Sequence, residues 1–98
     1  MNIKILPIAN DDLFNGYYFY EQQEKGIGSY FLDSLFSDID SLLIYHGIHP
    51  VFFKKYHRLL SKRFPFSIYY TIEDKDIIIY AVLDCRKEPA WVKDRFEG

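Results

Sequence analysis

The sequence predicts a small α+β domain in which a helical hairpin packs on a twisted antiparallel sheet, with its elements in the order β-α-α-β-β-β. Apolar residues recur at helical spacing over residues 9–42, and short apolar runs separated by turn residues follow over residues 56–85. The 98 residues are 49% hydrophobic and 19% aromatic. This composition indicates one packed domain over residues 1–98 and excludes a disordered chain.

The beginning of the chain predicts a strand followed by a helix. Residues 2–8 alternate as a strand that Pro7 helps to end. From Ala9 the period becomes helical, and the helix should end at Gly26. One face of it carries Ala9, Leu13, Gly16, Tyr17 and Tyr20. Glycine inside a helix costs about 1 kcal/mol relative to alanine, so we expect Gly16 to let another backbone come close.

A second helix is predicted beyond Gly28. Its inward stripe consists of Phe31, Leu32, Leu35, Ile39 and Leu42, and its outward side of Asp33, Asp38 and Asp40. Two helices joined by a short glycine-containing turn form an antiparallel hairpin.

Three strands are predicted in the second half, at residues 56–64, 66–73 and 76–85. Their short connections make them antiparallel neighbours. The last strand is apolar on both faces, which predicts a central position in the sheet. We expect the amino-terminal strand to join this sheet, and a short tail to follow around residues 89–96.

The chain is expected to be cytosolic, with no membrane partner. Asn10, Asp11 and Asp12 interrupt any apolar signal core, and no run of 18 apolar residues exists. The single cysteine, Cys85, cannot form an internal disulfide and gives no metal-ligand spacing, so we expect a buried or half-buried structural thiol.

Charge is distributed unevenly along the chain. Residues 1–50 hold two lysines against seven acids, whereas residues 51–98 hold ten basic residues against seven acids. No carboxylate occurs between Asp40 and Glu73, and the basic residues in that gap are Lys54, Lys55, Arg58, Lys62 and Arg63. Such polarity predicts a partner of opposite sign, either a nucleic acid or an acidic protein.

The order of several short motifs resembles the RelE/ParE superfamily of toxins from bacterial type II toxin–antitoxin systems. These motifs are Tyr17-Tyr18, Gly26-Ile27-Gly28, Tyr56-His57-Arg58-Leu59-Leu60, Arg63-Phe64-Pro65-Phe66-Ser67-Ile68-Tyr69-Tyr70, Ile77-Ile78-Ile79, Cys85-Arg86-Lys87 and Trp91. The resemblance implies a sheet with the helical hairpin on one face and a shallow basic groove on the other. It also implies an antitoxin whose carboxy-terminal segment wraps the toxin. RelE-type toxins cleave messenger RNA on the ribosome and ParE-type toxins poison DNA gyrase; the motifs are closer to the ParE and plasmid-stabilisation side.

Two arginines match family positions. The resemblance places Arg58 at the arginine of the first strand of the meander and Arg86 at the one that closes the last strand, which makes them the best functional pair. In a regular strand, Arg58 and Lys62 share one face while His57 and Arg63 share the other.

The leading hypothesis is a ParE-like toxin that causes growth arrest by binding a protein, DNA gyrase, and is neutralised by its antitoxin. The target- or antitoxin-binding residues would be Lys54, Lys55, Arg58, Lys62, Arg86, Lys87 and Trp91. An antitoxin helix could dock on the apolar side chains of the first helix that lie away from its inward stripe, namely Phe14, Tyr18 and Phe19.

Two alternatives remain open. The first is a metal-independent endoribonuclease of the RelE type, without cofactor, whose catalytic residues would be His57, Arg58, Arg63 and Arg86. The arginines would hold the phosphorane charge and His57 would carry a proton. RelE-type nucleases usually carry lysines and a tyrosine or histidine in the carboxy-terminal tail, whereas the tail of this chain offers Trp91 and Phe96, which cannot transfer protons. The net charge of −2 is also unfavourable for general RNA binding. The second alternative is a non-toxic protein-binding form of the fold.

Overall fold

The predicted order of elements is confirmed, with short additions. The computed structural model describes residues 1–52, 55–87 and 89–97, and of residues 89–91 and 97 it describes only the backbone. The elements are β1 (Asn2–Ile5), α1 (Pro7–Gln23), α2 (Ile27–Asp40), α3 (Leu42–Tyr45), β2 (Val51–Phe52), β3 (Tyr56–Leu60), β4 (Phe66–Glu73), β5 (Asp76–Asp84) and α4 (Pro89–Glu97). The additions to the predicted pattern are α3, β2 and the helical form of the tail.

The sheet has five strands in the order β1-β5-β4-β3-β2. β1 runs parallel to β5, and the other pairs are antiparallel. The amino-terminal strand therefore joins the sheet as predicted, and β5 lies between two neighbours. Its apolar residues are buried on both faces: Ile77, Ile79, Ala81, Val82 and Leu83.

Glycines set the packing of α1 against α2. A Cβ atom at Gly16 would lie 2.4 Å from Cζ of Phe31, whose side chain is fully buried. Gly16 thus makes room for a ring and not, as expected, for a backbone. The close backbone approach occurs at Gly28, where a Cβ would lie 2.7 Å from the carbonyl oxygen of Tyr17.

Other sequence-based expectations are also wrong in detail. The first strand ends at Ile5, and Pro7 begins α1 because its fixed φ and missing N–H suit the first helical position. β3 ends at Leu60, since residues 61–65 form a loop. Asp38, expected on the outside, is only 5% exposed, and its Oδ2 accepts a hydrogen bond from Ser61 Oγ at 2.7 Å.

The sheet face opposite the helical hairpin carries a second apolar layer. Its buried residues are Tyr69, Ala81, Leu83 and Val92, with Phe52, Tyr56 and Phe96 packed against them. α4 lies over this face, where the ring of Phe96 is 4.6 Å from that of Tyr56 and 4.8 Å from that of Tyr69. An aromatic layer therefore occupies part of the face on which the resemblance implies a basic groove. Within the described ranges, no helix combines the length and apolarity that crossing a bilayer requires.

Candidate functional site

Arg58 lies on β3, at the edge of the aromatic layer. Its guanidinium carbon is 4.1 Å from the ring centroid of Phe52, a cation–π distance. The Arg58 amide donates to the carbonyl oxygen of Pro50 at 3.0 Å. Its side-chain Nε is buried and has no hydrogen-bond partner among the described residues. Arg58 therefore presents a positive charge that no carboxylate in the described part of the chain neutralises.

Arg86 follows β5 and is bound to Asp84. Arg86 Nε lies 3.0 Å from Asp84 Oδ1, and Nη2 lies 2.7 Å from Oδ2. These bonds lower the pKa of Asp84 and raise that of Arg86. Burial raises the pKa of the neighbouring Tyr20, and the positive charge of Arg86 opposes that rise. The Arg86 guanidinium remains exposed but is partly neutralised by its carboxylate partner.

A cleft of about 480 Å³ lies between α1 and the end of β5. Asn15, Gly16 and Phe19 contribute from α1, and Arg86 and Lys87 contribute from the segment after β5. The cleft thus combines an apolar wall with two basic residues and two acidic ones, Asp12 and Asp84, which are paired with Arg95 and Arg86 respectively.

The structure does not bring Arg58 and Arg86 together. In the strand register, Arg58 faces Tyr69 on β4, which faces Ala81 on β5, so the two arginines are separated by two strand spacings of about 4.8 Å each. Arg86 is also five residues further along the chain than Ala81. The two arginines belong to separate surfaces, each with its own neighbours.

His57 lies on the opposite face of β3 from Arg58 and belongs to a half-buried polar cluster around the buried Tyr70. Its ring stacks on that of Tyr70 at 5.1 Å, and its Nδ1 donates to the carbonyl oxygen of His49 at 3.0 Å. The Tyr70 hydroxyl donates to the carbonyl oxygen of His46 at 2.6 Å and accepts from Nδ1 of His49 at 2.8 Å. Burial raises the pKa of Tyr70 to about 12, whereas burial and the nearby His57 lower the pKa of His49. These bonds fasten residues 46–49 to the sheet.

The other basic candidates are spread over the surface. Lys55 Nζ lies 5.3 Å from the ring centroid of Tyr56 and 5.9 Å from that of Tyr80. Lys62 and Arg63 are exposed in the loop after β3, and the Lys62 amide donates to the buried Asp38 carboxylate at 3.4 Å. Lys87 is exposed beside the cleft. Lys54 and the side chain of Trp91 lie outside the described residues.

The outer face of α1 carries the exposed aromatic residues that were predicted as a docking surface. Phe14, Tyr18 and Phe19 are all exposed, Tyr18 to 59%. The Tyr18 ring meets that of Tyr17 edge to face at 5.2 Å. This row borders the cleft through Phe19.

Cys85 and the histidines are further side chains that could react or bind a metal ion. Cys85 is exposed, contrary to the expectation of a buried thiol. In the described ranges, no three histidine, cysteine or acidic side chains form a group able to hold a metal ion. The ring nitrogen Nδ1 of His46 bonds to the carbonyl oxygen of Leu42 at 2.9 Å.

Asp12 and Arg95 form an ion pair that the sequence does not predict. Asp12 projects from α1 to the part of β5 that extends beyond β1. There its Oδ2 accepts a hydrogen bond from the Val82 amide at 3.0 Å. Both terminal nitrogens of Arg95, on α4, donate to the same carboxylate. No local pattern relates positions this far apart, so only the folded chain reveals the group.

The comparisons with known proteins support the fold. No protein-family model matches the sequence, and no curated protein matches it. Among solved structures, the chain is similar to one described as a chromosomal ParDE TA system from P. aeruginosa, with a TM-score of 0.77 and 21% identity over 84% of this chain and 92% of that one. The resemblance stated from the sequence is thereby confirmed at the level of the fold, which is ParE-like.

Proposed function

We propose that this chain is the toxin of a toxin–antitoxin pair and that it acts in the cytoplasm by binding DNA gyrase. The observation that carries the proposal is the ParE-like fold, shared over most of the chain with a structure described as a ParDE TA system. In the proposed pair, a cognate antitoxin neutralises the toxin by forming a hetero-oligomer with it.

The positions of the catalytic candidates favour binding over RNA cleavage. A nuclease that works without a metal needs a base, cations and an acid around one phosphate. Here His57 and Arg58 project from opposite faces of β3, and Arg86 lies two strands away. The Nδ1 atom of His57 is engaged with a backbone carbonyl. These residues do not surround one phosphate, whereas separate basic and apolar surfaces suit contacts with proteins.

The antitoxin would bind across α1 and the cleft. An amphipathic helix could cover Phe14, Tyr18 and Phe19, as such helices cover apolar surfaces elsewhere. Polar residues of that helix would face the Arg86–Asp84 pair at the cleft mouth. Arg58 lies on a separate surface, which would contact the target, DNA gyrase.

Growth after controlled induction tests the toxin, and a supercoiling assay tests the target. We expect the parent chain to arrest growth, the product of the neighbouring gene to relieve the arrest, and purified protein to inhibit gyrase. Arg58→Ala should abolish arrest, while Lys75→Ala, an exposed charge in the β4–β5 turn, should not. Arrest with unaffected gyrase would refute the gyrase target. Normal growth with folded protein in a host whose gyrase the chain binds would refute toxicity.

A further inference from the structure

The outer edge of β3 loses its partner strand at Arg58. β2 pairs only with Tyr56 and His57, and the last bond across this edge runs from the Arg58 amide to the carbonyl oxygen of Pro50. Proline has no N–H, so Pro50 cannot return a bond to the Arg58 carbonyl. Beyond this point His49 turns toward Tyr70, and the chain leaves the sheet.

Leu60 continues this open edge. Its neighbour Ser61 donates inward to the carbonyl oxygen of Phe66 at 2.9 Å. Because backbone groups alternate in direction along a strand, the N–H and C=O of Leu60 point outward, as does the Arg58 carbonyl. The Leu60 side chain is 54% exposed. The open edge therefore offers one donor and two acceptors in strand spacing.

A depression of about 270 Å³ lies beside these groups. It is lined by His49, Pro50, Arg58, Leu59 and Leu60. Ile48 and Val51 are also exposed nearby in sequence. Native sheets usually protect their edges with charges, bulges or covering elements. Here an edge that no described residue covers adjoins a depression into which a side chain of an added strand could fit.

We propose that the edge of β3 from Arg58 to Leu60 binds an extended acidic segment of a partner protein, which adds to the sheet as a further strand. The partner must carry backbone donors and acceptors, because the edge presents two carbonyls as well as an amide; a phosphate backbone would be repelled by the carbonyls. This proposal goes beyond the toxin assignment, because it specifies how the Arg58 surface, which is separate from α1 and its cleft, would bind a protein partner.

The charges around the edge select an acidic occupant. Arg58 lies in the depression, and the exposed Lys62 and Arg63 follow the strand directly. Asp38, whose carboxylate lies beside the end of this strand, is buried and bonded to Ser61. A second copy of this chain would oppose one basic edge to another, and like charges disfavour that pairing.

Amide exchange measured by NMR on the isolated chain tests the proposal. The probes are two capped peptides of about six residues, the length of an ordinary strand. In one, glutamate alternates with valine; in the other, lysine replaces glutamate. The acidic peptide should slow exchange of the Leu60 amide. The lysine peptide should bind about tenfold more weakly or worse, since each charge pair lost or reversed costs a fraction of a kcal/mol.

Leu60→Pro supplies a selective variant, because it removes an outward N–H that no strand of the sheet uses, and proline is accepted at such edge positions. It should weaken the acidic peptide about tenfold, while Leu60→Val should bind as the parent does. Arg58→Gln should also weaken binding of the acidic peptide. This variant keeps the test valid if Leu60→Pro does not fold.

Three outcomes would overturn the proposal. They are an unchanged Leu60 amide with saturating acidic peptide, equal binding of the two peptides, and protection of Leu60 that grows with protein concentration in the absence of peptide. The last would identify a second copy as the occupant. None of these readouts involves growth or gyrase, so failure here is distinguishable from failure of the toxin assignment.

Discussion

Asp12 and Arg95 are 83 positions apart and form a two-pronged ion pair, with Arg95 Nη2 at 2.8 Å from Oδ2 and Nη1 at 3.1 Å from Oδ1. The side chains are 12% and 20% exposed, respectively. Because the Asp12 carboxylate also accepts a hydrogen bond from the Val82 amide, it connects α1, α4 and the part of β5 that extends beyond β1. This group holds the last helix over the sheet face on which Phe96 packs.

Asp12→Ala should therefore lower the free energy of unfolding by about 2–4 kcal/mol, because it leaves a largely buried guanidinium and the Val82 amide without their acceptor. Arg95→Ala should cost less, about 1–2 kcal/mol, because Asp12 keeps its bond to the Val82 amide. Urea denaturation of both single variants and the double variant measures the coupling. Strictly additive losses would show that the ion pair contributes nothing of its own.

Gly16→Ala should destabilise the chain although alanine is the better helix former. The added Cβ would lie 2.4 Å from Cζ of Phe31, and relieving that overlap costs about 1–3 kcal/mol against a gain of about 1 kcal/mol in helix propensity. Gly47→Ala is the matched control, because no atom of the described residues lies within 4 Å of the position that its Cβ would take. Thermal unfolding should show a loss only for Gly16→Ala, and adding Phe31→Leu should recover part of it. Equal melting temperatures for the two alanine variants would refute the steric role of Gly16.

The sequence predicts the parts of this molecule that depend on periodicity. The helical hairpin and β5 follow from apolar spacing, since burial of Phe31 or Ile79 requires nothing more than the right face. It does not predict interactions between distant polar groups. The helical pattern predicts that Asp38 faces solvent. Its burial is possible because Ser61, which is 23 positions away, supplies a hydroxyl that donates a hydrogen bond to its carboxylate.

The same limit applies to the candidate site. Strand parity correctly separates His57 from Arg58, because alternation is a local property. Matching Arg58 with Arg86 as a pair depends on the sheet order and on where β5 ends, which local patterns do not contain. The role of His57 in the polar cluster depends on His49 turning back toward the sheet, and that turn has no sequence signature.

Tyr70→Phe should lower the free energy of unfolding by about 1–2 kcal/mol, because it removes the hydroxyl that bonds to both His46 and His49 and leaves two half-buried groups without that partner. Tyr18→Phe is the control, since that hydroxyl lies on an exposed side chain and its loss should have almost no effect. Urea denaturation measures both. A loss of similar size in the two variants would mean that the Tyr70 hydroxyl does not fasten residues 46–49.

Stability should fall as the pH is lowered from 8 to 5, and His49 should account for part of the fall. Burial, together with the nearby His57, holds the pKa of His49 below its ordinary value of 6.5 in the folded chain. At pH values between the folded and the unfolded pKa of His49, the unfolded state binds more protons than the folded state. The contribution of the neutral His49 to stability is therefore complete above pH 6.5 and is lost as the pH falls through the folded pKa. The bond between Asp84 and Arg86 acts in a lower window, because the pKa of Asp84 lies below 3.8 and its contribution is lost only under more acidic conditions.

His49→Asn isolates this contribution, because the asparagine amide can donate to the Tyr70 hydroxyl from nearly the position of Nδ1 but does not titrate. The parent should lose stability relative to the variant between pH 8 and pH 5, as measured by urea midpoints at the two pH values. Parallel changes in parent and variant would show that His49 does not titrate with unfolding. If the parent instead becomes more stable relative to the variant as the pH falls, the pKa of His49 is raised by folding and the folded chain favours the charged imidazole.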